Sequence, residues 1–335
     1  MNLFENRYSL IFFSTCLSAL FTILFLPLSE KVGVKYRILD DPDPRKMHTS
    51  PTVRIGGLAI IISYLFTILI VWHVDFFKVL EFDNYGLSIL LTILSVNLFS
   101  YLIGLIDDIY KTPFWLRLGL QIISSMFIWS QGIGVKVLDL SFLPWSNIDN
   151  LFINDFLSLI ITILWIGGIT NAINWLDGLD GLAAGCSSIL SFGVGIYGLV
   201  NNNFLIFVLS FILLGSSLGF LKKNSYPSNI MMGDGGSYFL GNSLAILSII
   251  GFTNLNGSIN PITPFILFSV PIFDMIFVIK SRVQNGLSPF YPDKRHIHHR
   301  LIKAGYSYKR TVSIIYLINI FFVFTSLILT IFIFN

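Results

Sequence analysis

Apolar residues fall in ten long runs separated by short polar segments, approximately 8–28, 55–74, 85–106, 116–131, 156–173, 182–200, 204–221, 237–252, 262–279 and 311–334. Most approach the roughly 20 residues that a helix needs to cross hydrocarbon. The pattern therefore predicts an all-α polytopic membrane bundle of about ten transmembrane helices, with 1–335 as a single domain. The runs at 116–131 and 237–252 are the shortest. Gly, Ser and Thr recur inside the runs, which suits close helix packing in lipid. The first run is too long for a signal peptide and no small-residue cleavage site follows it, so it reads as an uncleaved helix. Segment 132–155, with Gly132, Gly134, Pro144 and alternating Val135, Val137 and Leu138, predicts a small hairpin.

Composition supports lipid as the solvent. Of the 335 residues 54% are hydrophobic and 12% charged, against roughly 25% charged in soluble domains, and mean hydropathy is +0.78. A net charge of +3 gives no support to nucleic-acid binding. The two cysteines, Cys16 and Cys186, lie in apolar runs, which excludes a disulfide framework.

The basic residues set the expected orientation. If the runs alternate direction, Arg7, Lys78 and Lys136 share one side, and the remaining eighteen of the 21 Lys and Arg share the other. The richer side is expected to be cytoplasmic, with both termini periplasmic. The cytoplasmic loops then lie near 29–54, 107–115, 174–181, 222–236 and 280–310, and they hold most of the unusual chemistry.

The first loop reads DDPDPRKMHTSPTVRIGG, and Lys46, Thr52 and Arg54 in it suit phosphate oxygens at a membrane surface. The second, GLIDDIYKTP, sets Asp107 and Asp108 at a helix C-terminus. There both mutual repulsion and the helix dipole oppose negative charge, so a metal, Lys111 or Arg117 should offset them. The third, NAINWLDGLDGLAAG, spaces Asn171, Asn174, Asp177 and Asp180 by three. On one helix these would line a single wall, and such oxygen donors suit a hard cation, although Gly178 and Gly181 permit a helix break. The fourth, MMGDGGSYFLG, puts Asp234 on a glycine-rich turn that should enter a helix at Ser237. The fifth, PFYPDKRHIHHRLIKAG, clusters His296, His298, His299 and Arg300. Its neighbours Lys294, Arg295 and Lys303 are basic, which favours pyrophosphate over zinc.

Acids and amides for a metal, with bases and imidazoles for phosphates, fit phosphoryl transfer. There is no GxxxxGK[ST] loop to suggest ATP hydrolysis. A transporter would carry its ionisable groups near the bilayer midplane. Here, apart from Asp274 in the ninth run, they lie at the loop ends. A scaffold would need neither the acid pair nor the histidine cluster.

The motifs DDIYK, NAINWLDGLDGL, GDGGS and HIHHRL, in that order between 46 and 303, resemble those of the polyprenyl-phosphate N-acetylhexosamine-1-phosphate transferases. The resemblance implies a UDP-N-acetylhexosamine donor, UDP-GlcNAc first, and undecaprenyl phosphate in the bilayer as acceptor, with UMP released. This would be the first membrane step of a surface polysaccharide such as O-antigen. It implies Mg2+, with Mn2+ as a substitute, held by Asn174 and Asp234. Asp107 would be the base or the acid that positions the lipid phosphate, with Asp108 beside it. Asp177 and Asp180 would face the nucleoside, Arg117 the lipid phosphate, and His298 and Arg300 the pyrophosphate. The resemblance permits a homodimer. The peptidoglycan branch, phospho-N-acetylmuramoyl-pentapeptide transferase, usually shows three consecutive histidines, and Ile297 interrupts them here.

Overall fold

The structure is a computed structural model of the chain, and it describes residues 7–40, 51–73, 84–142, 149–291 and 293–331. Lys46 lies outside the described residues. The apolar runs become helices α1 (Arg7–Lys35), α2 (Gly57–His73), α3 (Asn84–Tyr110), α4 (Phe114–Ser130), α5 (Asp155–Leu176), α6 (Leu182–Val200), α7 (Phe204–Asn224) and α8 (Gly233–Phe252). They continue with α9 (Ile262–Leu267), α10 (Ser269–Gln284), the short α11 (Ile297–Lys303) and α12 (Tyr308–Leu329). Among the described residues seven helices are long and apolar enough to cross a membrane, and Gly57–His73 is a shorter apolar helix. The ninth run is broken at Phe268 into α9 and α10. The protein is thus an all-α, multi-pass membrane protein.

Two small antiparallel pairs complete the fold. Strands β3 (Val137–Asp139) and β4 (Asn150–Phe152) form the hairpin expected in 132–155. Strands β1 (Leu39–Asp40) and β2 (Thr52–Val53) close the first loop on itself. Val53 also bridges Ile230, and the Met231 N–H donates to the Val53 carbonyl at 2.8 Å, so the first and fourth loops are clamped together.

Helix α8 is the axis of the bundle. It packs against α3, α5, α6, α2 and α7, and nearly all of its residues are buried. Its small residues explain this, since lipid gives helices no hydrophobic reason to associate and packing depends on close backbone approach. The helix begins at Gly233 rather than at Ser237, because the glycine run is itself helical after a left-handed Gly233 with φ 77°. Asp234 therefore stands in the first turn, among backbone N–H groups that have no partner within the helix itself. Gly104 of α3 lies against that turn, and a Cβ there would overlap the Asp234 carbonyl. Gly104→Ala is expected to force α3 and α8 apart, at a cost of about 1–3 kcal/mol. Thermal unfolding in detergent checks this, and an unchanged midpoint would show that the helices need no such contact.

Candidate active site

The loop ends converge at one end of the bundle. Asp108, in the last turn of α3, accepts from the Asp234 N–H and the Gly235 N–H at 3.0 Å each, and so caps α8. Arg54, just after β2, donates from Nε to Asp108 Oδ1 at 2.9 Å and from a terminal nitrogen to Asp234 Oδ2 at 3.2 Å. It also reaches Asp40 at 3.5 Å. The planar guanidinium suits this fork. Burial opposes its charge, but Asp234, Asp108, Asp40 and Asp177 hold its pKa above the ordinary value. Arg54 is therefore a hub for carboxylates from three loops, where the sequence suggested a free phosphate contact. Thr52 is buried in β2, opposite Asp40.

Asp107 faces the other way. Arg117, one turn into α4, pairs with its Oδ2, and the Thr112 hydroxyl donates to Oδ1 at 2.8 Å. The Asp107 and Asp234 carboxyls also stand within hydrogen-bonding reach of each other. Asn174 of α5 donates to Asp234 Oδ1 and to Ser237 Oγ, at 2.9 Å each.

The four polar residues of the third loop do not share one helix wall. Helix α5 stops at Leu176, Asp177 caps it, and Gly181 (φ 78°) starts α6 in a left-handed conformation. Only Asn171 and Asn174 lie on α5. Asp177 faces the acid cluster: burial first, then Asp234, push its carboxyl up to about 7, against the pull of Arg54. Asp180 turns to the fourth loop instead. Its Oδ2 accepts from the Ser228 N–H at 3.0 Å, and its own N–H donates to the Tyr308 hydroxyl.

The raised Asp177 has a consequence for stability. The folded state holds this proton up to about pH 7, whereas the unfolded carboxyl releases it near 3.8. Stability from this group is therefore present at low pH and falls as pH rises from about 4 to 7. Asp177→Asn should flatten that decline in metal-free buffer, as read by unfolding midpoints against pH; an unchanged slope contradicts the assignment.

Beside the cluster lies a cavity of about 290 Å3, whose lining includes Arg117, Asn171, Asn174, Trp175, Tyr238 and His296. Phe114 and Phe290, stacked at 4.4 Å, form part of its wall. The Asn171 amide is tied to Gln121 Oε1 and the Gly167 carbonyl, at 2.7 Å each. A larger cavity, about 650 Å3, opens at the opposite end of the bundle. Its lining among the described residues carries Lys136 and several asparagines but no acid.

The fifth loop reaches the third through His298, which packs against Gly178. His298 is 1% exposed and its Nδ1 has no partner among the described residues. Burial, then His299 and His296, hold its pKa well below the ordinary value, so it is a neutral hydrogen-bonding group. His299 lies 4.3 Å from it, ring to ring, and is lowered by burial, His296 and Lys294. Arg300 is not brought to the acids. Its guanidinium lies 3.9 Å over the Phe277 ring of α10, itself 43% exposed. Residues two apart on α11 point to different faces, so His298 turns inward and Arg300 outward.

Tyr238, Trp175, Gln121, Arg282 and Asp293 also reach the site, though nothing in the sequence pattern singles them out. Arg282 is buried, makes a two-pronged bond to Asp293 at 3.1 Å on each arm, and lies 5.0 Å over Trp175. Asp293 is held below the usual carboxylate range by Arg282 and Arg295, against burial.

The donor chemistry fits a hard divalent cation. Asp107, Asp108, Asp177 and Asp234 bring four carboxyls against the guanidiniums of Arg54 and Arg117, and oxygen donors with surplus negative charge suit Mg2+. Among the described residues no three acids or imidazoles already stand in ligating geometry.

The fold and site define a multi-pass membrane protein with a shared acid cluster where its helix ends converge. The sequence profile of glycosyl transferase family 4 matches residues 87–252. A Bacillus subtilis (strain 168) protein named probable undecaprenyl-phosphate N-acetylglucosaminyl 1-phosphate transferase is 34% identical over 97% of this chain and 86% of its own length. A Mycobacterium tuberculosis (strain ATCC 25618 / H37Rv) decaprenyl-phosphate N-acetylglucosaminephosphotransferase is 31% identical, over 82% of this chain and 72% of its own. An Escherichia coli (strain K12) undecaprenyl-phosphate alpha-N-acetylglucosaminyl 1-phosphate transferase is 25% identical, over 88% and 77%. The chain belongs to glycosyl transferase family 4.

Proposed function

We propose that the protein transfers N-acetylhexosamine 1-phosphate, GlcNAc 1-phosphate first, from a UDP-sugar to undecaprenyl phosphate, as the first membrane step of a surface polysaccharide. The observation that carries this reading is the convergence of Asp107, Asp108 and Asp234 with Asn174 around two guanidiniums, with Asp177 in their field, beside a cavity walled by aromatic rings. The names of the relatives support the same chemistry. The eighteen-to-three split of basic residues supports ten passes, periplasmic termini and a cytoplasmic site in the inner membrane.

A phosphate oxygen of the lipid attacks the β-phosphorus of the UDP-sugar. The bond from that phosphorus to the oxygen bridging it to the α-phosphorus breaks, and UMP leaves. Arg117 orients the lipid phosphate, and Asp107 holds Arg117 in place while accepting from Thr112. Asp234, Asn174, Asp177 and Asp107 would hold Mg2+, with Mn2+ as a substitute. The bound cation supplies charge neutralisation to the pyrophosphate. Asp108 keeps Asp234 in register by capping α8, and Arg54 balances both. Asp180, Tyr308 and Tyr226, whose rings stack at 4.4 Å, form the nucleoside end. Neutral His298, with His299, donates hydrogen bonds to the pyrophosphate. The acceptor's chain lies in the bilayer, and a homodimer is compatible with this arrangement.

The test uses the purified protein in detergent with undecaprenyl phosphate. UDP-GlcNAc should yield UMP and a lipid-linked product with Mg2+ but not with EDTA. UDP-GalNAc and UDP-MurNAc-pentapeptide should be poorer donors. Turnover of the pentapeptide donor above UDP-GlcNAc would move the protein to the peptidoglycan branch.

A further inference from the structure

Asp274 lies within α10, is 4% exposed, and has no role in the chemistry above. A buried acid inside a membrane-spanning run is costly unless its oxygens are satisfied, and such acids mark function. Both oxygens are satisfied, and by the fifth loop. Oδ2 meets His296 Nδ1 at 2.8 Å, and Oδ1 accepts from the Ile297 N–H at 2.6 Å.

The His296 ring is fixed on its other sides too. It lies 5.6 Å from the Trp175 ring, edge on, and 5.6 Å from the His298 ring, parallel within 3°. With Nδ1 committed to Asp274, Nε2 is the ring's remaining polar atom, and His296 lines the cavity that holds Arg117, Asn171 and Asn174. A carboxylate can only accept a hydrogen bond, so it selects the ring form with the proton on Nδ1. Nε2 is then left with a lone pair. The loop does not need Asp274 for its anchorage alone, because Arg282 and Asp293 already pin it.

We infer that Asp274 is a positioning residue: it holds His296 with Nδ1–H inward, so that Nε2 stands in the cavity as an acceptor for an O–H or N–H of the substrate. This rests on the transferase reading for its substrate, but not for its tautomer. The hydrogen-bond donor is either a hydroxyl or N-acetyl N–H of the sugar, or a protonated oxygen of the lipid phosphate.

Asp274→Asn is the informative variant. Its amide oxygen still accepts from Ile297 N–H, while its NH2 donates to Nδ1 and drives the proton to Nε2, turning the acceptor into a donor. Histidine-selective 15N NMR of the full chain in detergent, assigned with His296→Gln, reads this without any substrate. Wild type should show a protonated Nδ1 and an unprotonated Nε2, and Asp274→Asn the reverse. An unprotonated Nδ1 or a protonated Nε2 in wild type overturns the inference even if the enzyme transfers GlcNAc 1-phosphate. With UDP-GlcNAc and undecaprenyl phosphate, Asp274→Asn should lower kcat/KM by at least about ten-fold at an unchanged unfolding midpoint. A rise confined to the KM for UDP-GlcNAc assigns the donor group to the sugar, and one confined to the KM for undecaprenyl phosphate assigns it to the lipid. In a His296→Gln background the same change should add less than about two-fold. Equal kcat/KM for wild type and Asp274→Asn would overturn the inference; a wild type inactive on both substrates would sink the transferase reading and leave the NMR result to stand alone.

Discussion

Asp234→Asn should lose at least about a thousand-fold in transfer of GlcNAc 1-phosphate, equivalent to about 4 kcal/mol of transition-state stabilisation. The substitution keeps the shape of the side chain and an oxygen for the Asn174 amide. It removes the charge that pairs with Arg54 and that the proposed divalent cation would also use. Folding should survive, because one of several crowded carboxylates has been neutralised. The measurement is the initial rate with saturating UDP-GlcNAc and undecaprenyl phosphate, alongside an unfolding midpoint. Retention of more than a tenth of wild-type activity would remove Asp234 from the centre of the mechanism.

Arg54→Ala should damage both fold and activity. Asp108 and Asp234 would lose the cation between them, and Asp108 is almost wholly buried, with 1% of its side chain exposed. Breaking a buried pair by removing one partner costs roughly 3–5 kcal/mol. Arg54 retains some access to solvent, with a quarter of its side chain exposed, so about 2–3 kcal/mol is the expectation here. Arg54→Lys should recover much of the stability and little of the activity, since an ammonium cannot bridge three carboxylates in one plane. Activity in the lysine variant within two-fold of wild type would show that charge alone suffices.

Asp234 and Arg54 differ in how far the sequence reveals them. Asp234 stands out as a carboxylate on a glycine-rich turn entering a helix, a placement that an ordinary helix cap would also explain; the fold sets it beside Arg54 and Asn174. The place of Arg54 was not readable as a hub. It depends on β2 pairing with β1 and then bridging Ile230, nearly 180 residues away, which no local pattern encodes. The spacing of Asn171, Asn174, Asp177 and Asp180 gave the right neighbourhood and the wrong geometry. The same glycines that permitted a break took it, and Asp180 turned to Ser228. Arg300 was grouped with His298 by adjacency, but α11 sends them to opposite faces. Asp274 was visible as an acid inside an apolar run, yet its partner His296 lies 22 positions on, across a loop, and only the fold joins them.

Whether the phosphorus travels with the sugar is the central claim, and one measurement isolates it. UDP-GlcNAc carrying 3H in the sugar and 32P at the β-phosphate is incubated with the purified protein, undecaprenyl phosphate and Mg2+. Both labels are expected in the lipid product at their starting ratio, with unlabelled UMP released, as that claim requires. Lipid carrying 3H alone, with 32P left in UDP, would mean that the sugar moves without its phosphate, and would contradict it.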